Sequence, residues 1–233
     1  MALTSMTRGR WTPLQAVAAL ALGASSAMAA PIAFDRPELQ APATLQVTVP
    51  GVADGGALPS NYTFNGRNLS PPVSWSEGPP ETRSFVVLMQ DADAPTDRPG
   101  EGVDWLVYSV PATVAMLPRG MRNVASPTSP LGSSQGRNSH DSLGYSGPRL
   151  AVGEPAHHYH LQVFALDRPL RMRPGAELPA VLRAMAGHAI ARGELVATYV
   201  APSPEAAHGH QKGPATPPPP APQPGTSPAE PGA

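Results

Sequence analysis

Between residues 45 and 201 the apolar residues come in short runs, each closed by glycine, proline or an Asx-type turn, and this punctuation constrains the fold more than any other feature of the 233-residue chain. Val47 and Val49 alternate with polar neighbours before a turn carried by Gly51, Asp54 and Gly56. Tyr62-Thr63-Phe64 runs into Asn65-Gly66, and Ser70-Pro71-Pro72 feeds Val73-Ser74-Trp75. Phe85-Val86-Val87-Leu88-Met89 is apolar at every position, as suits a strand covered on both faces, and it leads directly into Asp91-Ala92-Asp93-Ala94-Pro95. Residues 105–110 and 159–166 repeat the pattern, closed by Pro111 and by Asp167-Arg168-Pro169. One segment has helical spacing instead: Leu178, Leu182, Met185, Ala189 and Ile190, with Pro179 in the first turn and Gly193 after the last. A final strand is expected over residues 195–200. The predicted fold is mainly β, an antiparallel two-sheet sandwich with one helix near the C-terminus. At roughly 160 residues it is one domain with one core.

The two ends of the chain read differently. Arg8 and Arg10, an apolar run over residues 14–24 and Ala27-Met28-Ala29 make a secretory signal peptide of residues 1–29. That run is shorter than the roughly 20 residues that span a bilayer, so a secreted or periplasmic protein without a stable membrane anchor is expected. Residues 30–44 read as a linker before the domain of residues 45–201. Residues 202–233 carry 11 prolines, Pro217 to Pro220 among them, and almost no large apolar side chain. A disordered, polyproline-II-like tail follows, serving as spacer or as a docking segment. The absence of cysteine excludes disulfides, thiolate metal sites and a lipoprotein anchor. Without the signal peptide 14 basic residues face 17 acidic ones, a net charge of −3, which argues against a nucleic-acid partner.

Chemistry-bearing residues cluster at the ends of the predicted strands. Residues two apart on a strand share a face, so Asp91 with Asp93, and His157 with Tyr159, can each project together. Gly144-Tyr145-Ser146-Gly147-Pro148 adds a glycine- and proline-bearing loop. These are the materials of a small polar pocket. The plainer reading is that Asp91 and Asp93 cap a turn by accepting backbone N–H groups, and for Asp93 that reading is kept. His158 and His160 should face away from His157, and His188 should lie within the helix as a core hydrogen-bond donor. Ser139-His140-Asp141 is contiguous and cannot form a triad, whose members come from separate elements.

In order, Asp54-Gly55-Gly56, Tyr62-Thr63, Asn65-Gly66, Asn68, Ser70-Pro71-Pro72, Trp75, Asp91-x-Asp93-Ala94-Pro95, Gly136-Arg137-Asn138, Gly144-Tyr145-x-Gly147-Pro148, His157-x-Tyr159, Ala165-Leu166-Asp167, Gly187-His188 and Tyr199 resemble the phosphatidylethanolamine-binding protein family, in its bacterial, Raf-kinase-inhibitor-like branch. The resemblance implies that family's sandwich and a small anion-accepting cavity. Its lining would be Asp91, His157 and Tyr159, with backbone N–H groups of the Gly144 to Pro148 loop holding phosphate or acetate oxygens. A cis Ala94–Pro95 peptide is implied too. The ligand-binding set carried over is Asp91, Asp93, Pro95, Asp104, Tyr145, Gly147, Pro148, His157 and Tyr159.

Two departures stand out. Where most bacterial members have a histidine before the tryptophan, this chain has Asp104-Trp105. Two unit charges about 4 Å apart interact by roughly 4 kcal/mol at an effective dielectric near 20, so an ionised Asp104 beside Asp91 should repel phosphate. After Pro148 the chain continues Arg149-Leu150-Ala151 in place of further prolines, which should loosen the loop while offering Arg149 near its mouth.

The function expected is a binding protein for a small polar or anionic ligand such as a phospholipid head group, performing no chemistry and needing no cofactor. Two alternatives stay open: a divalent-metal variant built on Asp91, Asp104 and His157 with Asp93 or Tyr159, and a partner-binding or inhibitory protein. No catalytic signature supports a hydrolase.

Overall fold

The computed structural model describes residues 31–95 and 102–203. The expected signal peptide and the tail beyond Ser203 lie outside the described residues. In chain order the strands are β1 (Ala43–Thr44), β2 (Val47–Thr48), β3 (Gly56–Ala57), β4 (Val73–Trp75), β5 (Ser84–Asp91), β6 (Val103–Pro111), β7 (Met116–Leu117), β8 (Ser134–Gln135), β9 (His157–Leu166) and β10 (Ala189–Tyr199), with helix α1 (Leu178–Met185) before the last. They form two sheets, a large one in the order β1-β10-β9-β5-β6-β8 and a small one in the order β2-β4-β7. The long strands β10, β9, β5 and β6 are antiparallel. The outer edge of β10 departs from the expected pattern, because β1 and β3 both pair with it in parallel.

The fully apolar run in β5 is explained by what lies on either side of it. Phe85, Val87 and Met89 share a core with Val73, Trp75 and Leu117 of the small sheet. Val86 and Leu88 pack on the opposite face with Leu178, Val181, Leu182 and Met185 of α1. A strand between two apolar layers cannot alternate.

The helix is shorter than its spacing suggested. It ends at Met185; Gly187 then takes φ +75°, and Ala189 already pairs with Leu166. Ala189 and Ile190 keep helical spacing by coincidence, and the edge of β9 claims them as strand. Gly193 is therefore not a helix stop: a Cβ there would lie 2.0 Å from the Leu45 carbonyl oxygen, so glycine is required by the chain crossing it. His188 stands in the turn rather than in the helix, its Nδ1 3.1 Å from Asp167 Oδ1.

Residues 31–44, read from sequence as a linker, pack against the domain. Ala33 and Leu39 are fully buried in the helix-side core. The Ala33 N–H donates to Gln90 Oε1 at 2.8 Å and the Phe34 N–H to Gln162 Oε1 at 2.7 Å, pinning the segment onto β5 and β9. Two short 3₁₀ turns, Ala33–Asp35 and Pro37–Leu39, present these apolar residues without helix or strand periodicity, so no pattern signals them.

Candidate functional site

Antiparallel pairing brings four strand ends to one edge of the large sheet. β5 finishes at Asp91 beside Tyr159 near the start of β9, and β10 finishes at Tyr199 beside His157. Asp91 continues the alternation of Phe85, Val87 and Met89, and Tyr159 that of Leu161 and Val163, so both lie on the face turned to the small sheet. β6 needs a further device. Met89 pairs with Trp105 but Gln90 pairs with Val103, leaving Asp104 as the extra residue of a β-bulge. A bulge re-aims the side chain it inserts, and here it sets the Asp104 carboxyl within electrostatic reach of Asp91, Tyr159 and Tyr145.

The centre of the site is a histidine–carboxylate pair at its mouth. His157 Nδ1 lies 2.8 Å from Asp91 Oδ2, and the two side chains are 15% and 12% exposed. The His157 and Tyr159 rings stack at 6.4 Å. The other oxygen of Asp91 accepts the Asp93 N–H at 2.9 Å. Asp91 thus caps the turn and orients the imidazole at once.

Deeper in, two polar atoms are buried without partners: Asp104 Oδ2 and the Tyr159 hydroxyl. Burial first, and then the charge of Asp91, push the Asp104 carboxyl well above the usual carboxylate range. Burial, then the charges of Asp91 and Asp104, likewise raise the Tyr159 phenol, which keeps its proton. The anion repulsion expected of an ionised Asp104 does not arise while that carboxyl holds its proton.

The loop of residues 144–148 forms one wall. Tyr145 stacks edge-on against Trp105 at 5.7 Å, and its hydroxyl donates to the Tyr62 carbonyl. Burial, Asp104 and Tyr62 together push this phenol well up. Asn123 clamps Tyr145 from both sides, accepting its N–H at 3.1 Å and donating to its carbonyl at 2.9 Å. The Gly144 N–H donates to the Gly136 carbonyl, the Ser146 N–H to the Asp104 carbonyl and the Gly147 N–H to Asn68 Oδ1. A Cβ at Gly147 would lie 2.2 Å from the Tyr62 carbonyl oxygen, so only glycine fits.

A sequence model of the phosphatidylethanolamine-binding protein family matches residues 48–200, which takes in β3 to β10 and every residue of this site. The chain belongs to that family. It is 36% identical over 146 residues to a UPF0098 protein of Methanothermobacter thermautotrophicus, covering 63% of this chain and 92% of that one. Among solved structures it is similar to YbcL of Escherichia coli, described as a member of the mammalian PEBP family, with TM-score 0.60 and 31% identity over 69% of this chain and 100% of the other. A phosphatidylethanolamine-binding protein homologue from Chlamydia trachomatis matches with TM-score 0.60 and 30% identity, over 68% and 99% of the two chains.

Of the residues expected from sequence to bind a ligand, Asp91, Asp104, His157 and Tyr159 come together, with Tyr145, Gly147 and Pro148 in the adjoining wall. Asp93 and Pro95 do not join them. Asp93 is exposed and turned to His158, accepting its backbone N–H at 2.7 Å with His158 Nδ1 2.8 Å away. Pro95 is exposed and closes the turn. The backbone N–H groups of the loop are not free for a ligand either, since those of Gly144, Tyr145, Ser146 and Gly147 are already bonded within the protein. The cis bond among the described residues is Ser129–Pro130, so Ala94–Pro95 is trans. Arg149 lies over the Phe64 ring at 4.5 Å, and the loop is tied down rather than loosened. Among the described residues no three histidine or carboxylate groups are placed to hold a metal ion. Asn123 carries the loop geometry and no sequence signal marks it; its partner Tyr145 lies 22 residues away along the chain.

Proposed function

We propose that this member of the phosphatidylethanolamine-binding protein family is an exported binding protein whose site accepts a small polar or anionic head group and performs no chemistry on it. The observation that carries the reading is the pair of buried groups without a well-formed hydrogen bond, Asp104 Oδ2 and the Tyr159 hydroxyl, behind a mostly buried His157–Asp91 pair. Leaving such a group unsatisfied costs about 1–3 kcal/mol. A ligand oxygen reaching them recovers that loss, and the partly exposed His157 ring offers a third contact. The reading without chemistry rests on the sequence, which carries no catalytic signature. Export rests on the signal-peptide pattern of residues 1–29.

Native mass spectrometry of the protein purified from its own envelope fraction tests the binding role. A retained mass in the range of a phosphate ester or phospholipid supports it, and a bare chain that also fails to bind added phosphate or phosphoethanolamine refutes it. N-terminal sequencing of the same material should begin at Ala30, and a retained Met1 would refute export through a cleaved signal.

A further inference from the structure

Asp104 is 8% exposed, sits on a β-bulge, and one of its oxygens meets no hydrogen-bond donor. The groups facing it are Asp91 from β5, Tyr159 from β9 and Tyr145 from the wall loop. None of them stabilises a carboxylate there. Asp91 carries the same charge, the Tyr145 hydroxyl is committed to the Tyr62 carbonyl, and the Tyr159 hydroxyl, which completes no well-formed hydrogen bond, stands beside the Asp91 carboxylate rather than turned to Asp104. Further out, His157 is held by Asp91, and Tyr199 accepts from Asn65 Nδ2 at 3.3 Å. A cation entering the site would find Asp91 poorly available, since both its oxygens already accept hydrogen bonds. An anion would find the Asp104 acid without a partner and the Tyr159 hydroxyl held only loosely by Asp91.

We propose, resting on the binding role argued above, that Asp104 serves as a neutral carboxylic acid donating a hydrogen bond to an oxygen of an anionic ligand, with the Tyr159 hydroxyl as second donor. The site then selects oxyanions, such as phosphate esters, sulfate or carboxylates, and it holds them together with the Asp104 proton. A protonated acid buried among apolar side chains is a competent donor. When Asp104 loses that proton, two carboxylates face the ligand and the same site rejects it. Burial and Asp91 both oppose that loss. In place of a histidine, this residue therefore keeps an anion site working through a different donor.

Sulfate is the probe of choice because its own charge is constant from pH 5 to 9, so any pH dependence belongs to the protein. Calorimetric titration of the full chain with sulfate should show affinity that falls as pH rises through the Asp104 titration, approaching tenfold per pH unit beyond it. Asp104→Asn keeps a neutral donor and should lose that component of the pH dependence while still binding. Asp104→Ala should bind about tenfold or more weakly at pH 5, and Tyr159→Phe should lose a comparable factor. Melting curves establish that each variant is folded, and the Asn and Phe substitutions are the near-isosteric pair that keeps the test valid if the Ala variant is not. Identical pH profiles for wild type and Asp104→Asn would overturn the proposal, as would ethanolamine binding that Asp104→Asn abolishes. If wild type binds neither sulfate, phosphate nor ethanolamine, the binding role itself fails, an outcome distinct from binding with the wrong pH dependence.

Discussion

Stability, measured with no ligand present, reports on Asp104 independently of any binding assay. Its carboxyl is buried, unpartnered on one oxygen and raised well above the usual carboxylate range by burial and Asp91. A raised acid holds a proton in the folded state that the unfolded chain has released. Below the ordinary aspartate value both states are protonated and the residue contributes no pH dependence. Between that value and the higher folded one, folding takes up as much as one proton, and stability falls by up to about 1.4 kcal/mol for each pH unit. Above the folded value the penalty is constant. Asp104→Asn removes the ionisation, while Asp91 and His157 remain in both proteins, so the difference between the two isolates residue 104. The variant should gain on wild type as pH rises from 5 towards 8. With a urea m-value of about 2 kcal/mol/M, typical for a small domain, each 1.4 kcal/mol moves the relative midpoint by about 0.7 M. A constant offset from the amide's own hydrogen bonds changes the intercept and not the slope. Urea unfolding of both proteins at pH 5, 6, 7 and 8 is the assay, and parallel stability profiles would refute a raised, buried Asp104.

Gly147→Ala should destabilise the domain by more than about 2 kcal/mol, because the added methyl meets the Tyr62 carbonyl oxygen at 2.2 Å; a melting temperature within scatter of wild type would show that the wall can move. His157→Ala should abolish sulfate binding, whereas His158→Ala, which breaks only the exposed pair with Asp93, should leave it unchanged and alter stability by no more than about 0.5 kcal/mol, both read by calorimetry and thermal melts. Leu39→Ala, at a fully buried position in the segment that precedes β1, should cost about 2–5 kcal/mol in urea unfolding. Truncation after Pro202 should leave the melting curve unchanged, since the residues removed include almost no large apolar side chain.

Local chemistry made much of this protein readable before its fold. The unbroken apolar run 85–89 required two covering layers, and β5 has the small sheet on one face and α1 on the other. His157 and Tyr159, two apart, share a face because the strand period is two, and the resemblance carried by the ordered motifs named the family whose model matches residues 48–200. The helix was legible through Leu178, Leu182 and Met185, which meet the core, but its end was not. Ala189 and Ile190 fit either period, and pairing with β9 decided between them.

What only the tertiary structure decided are the contacts between residues distant in sequence. Asp91 and Asp93 look equivalent in the motif, yet Asp91 turns to His157 and Asp93 to His158, because side chains alternate faces on β9 and the two carboxylates take opposite sides of it. The glycine loop looked like a row of free donors, and Asn68, Asn123 and the neighbouring carbonyls had already taken them. Asp104 is the sharpest case. Its identity was plain in the sequence, and so was the break with a histidine pattern, but its charge was not. A carboxyl in water is ionised at neutral pH, and only the bulge that turns it inward beside Asp91, with one oxygen unpartnered, makes the neutral acid its favoured form. Sequence determines which groups a chain carries and the period on which they project, because those are properties of the residue and of the local backbone. The protonation state and partners of a buried group depend on solvent removed and charges brought near by segments far along the chain, and those follow only from the folded structure.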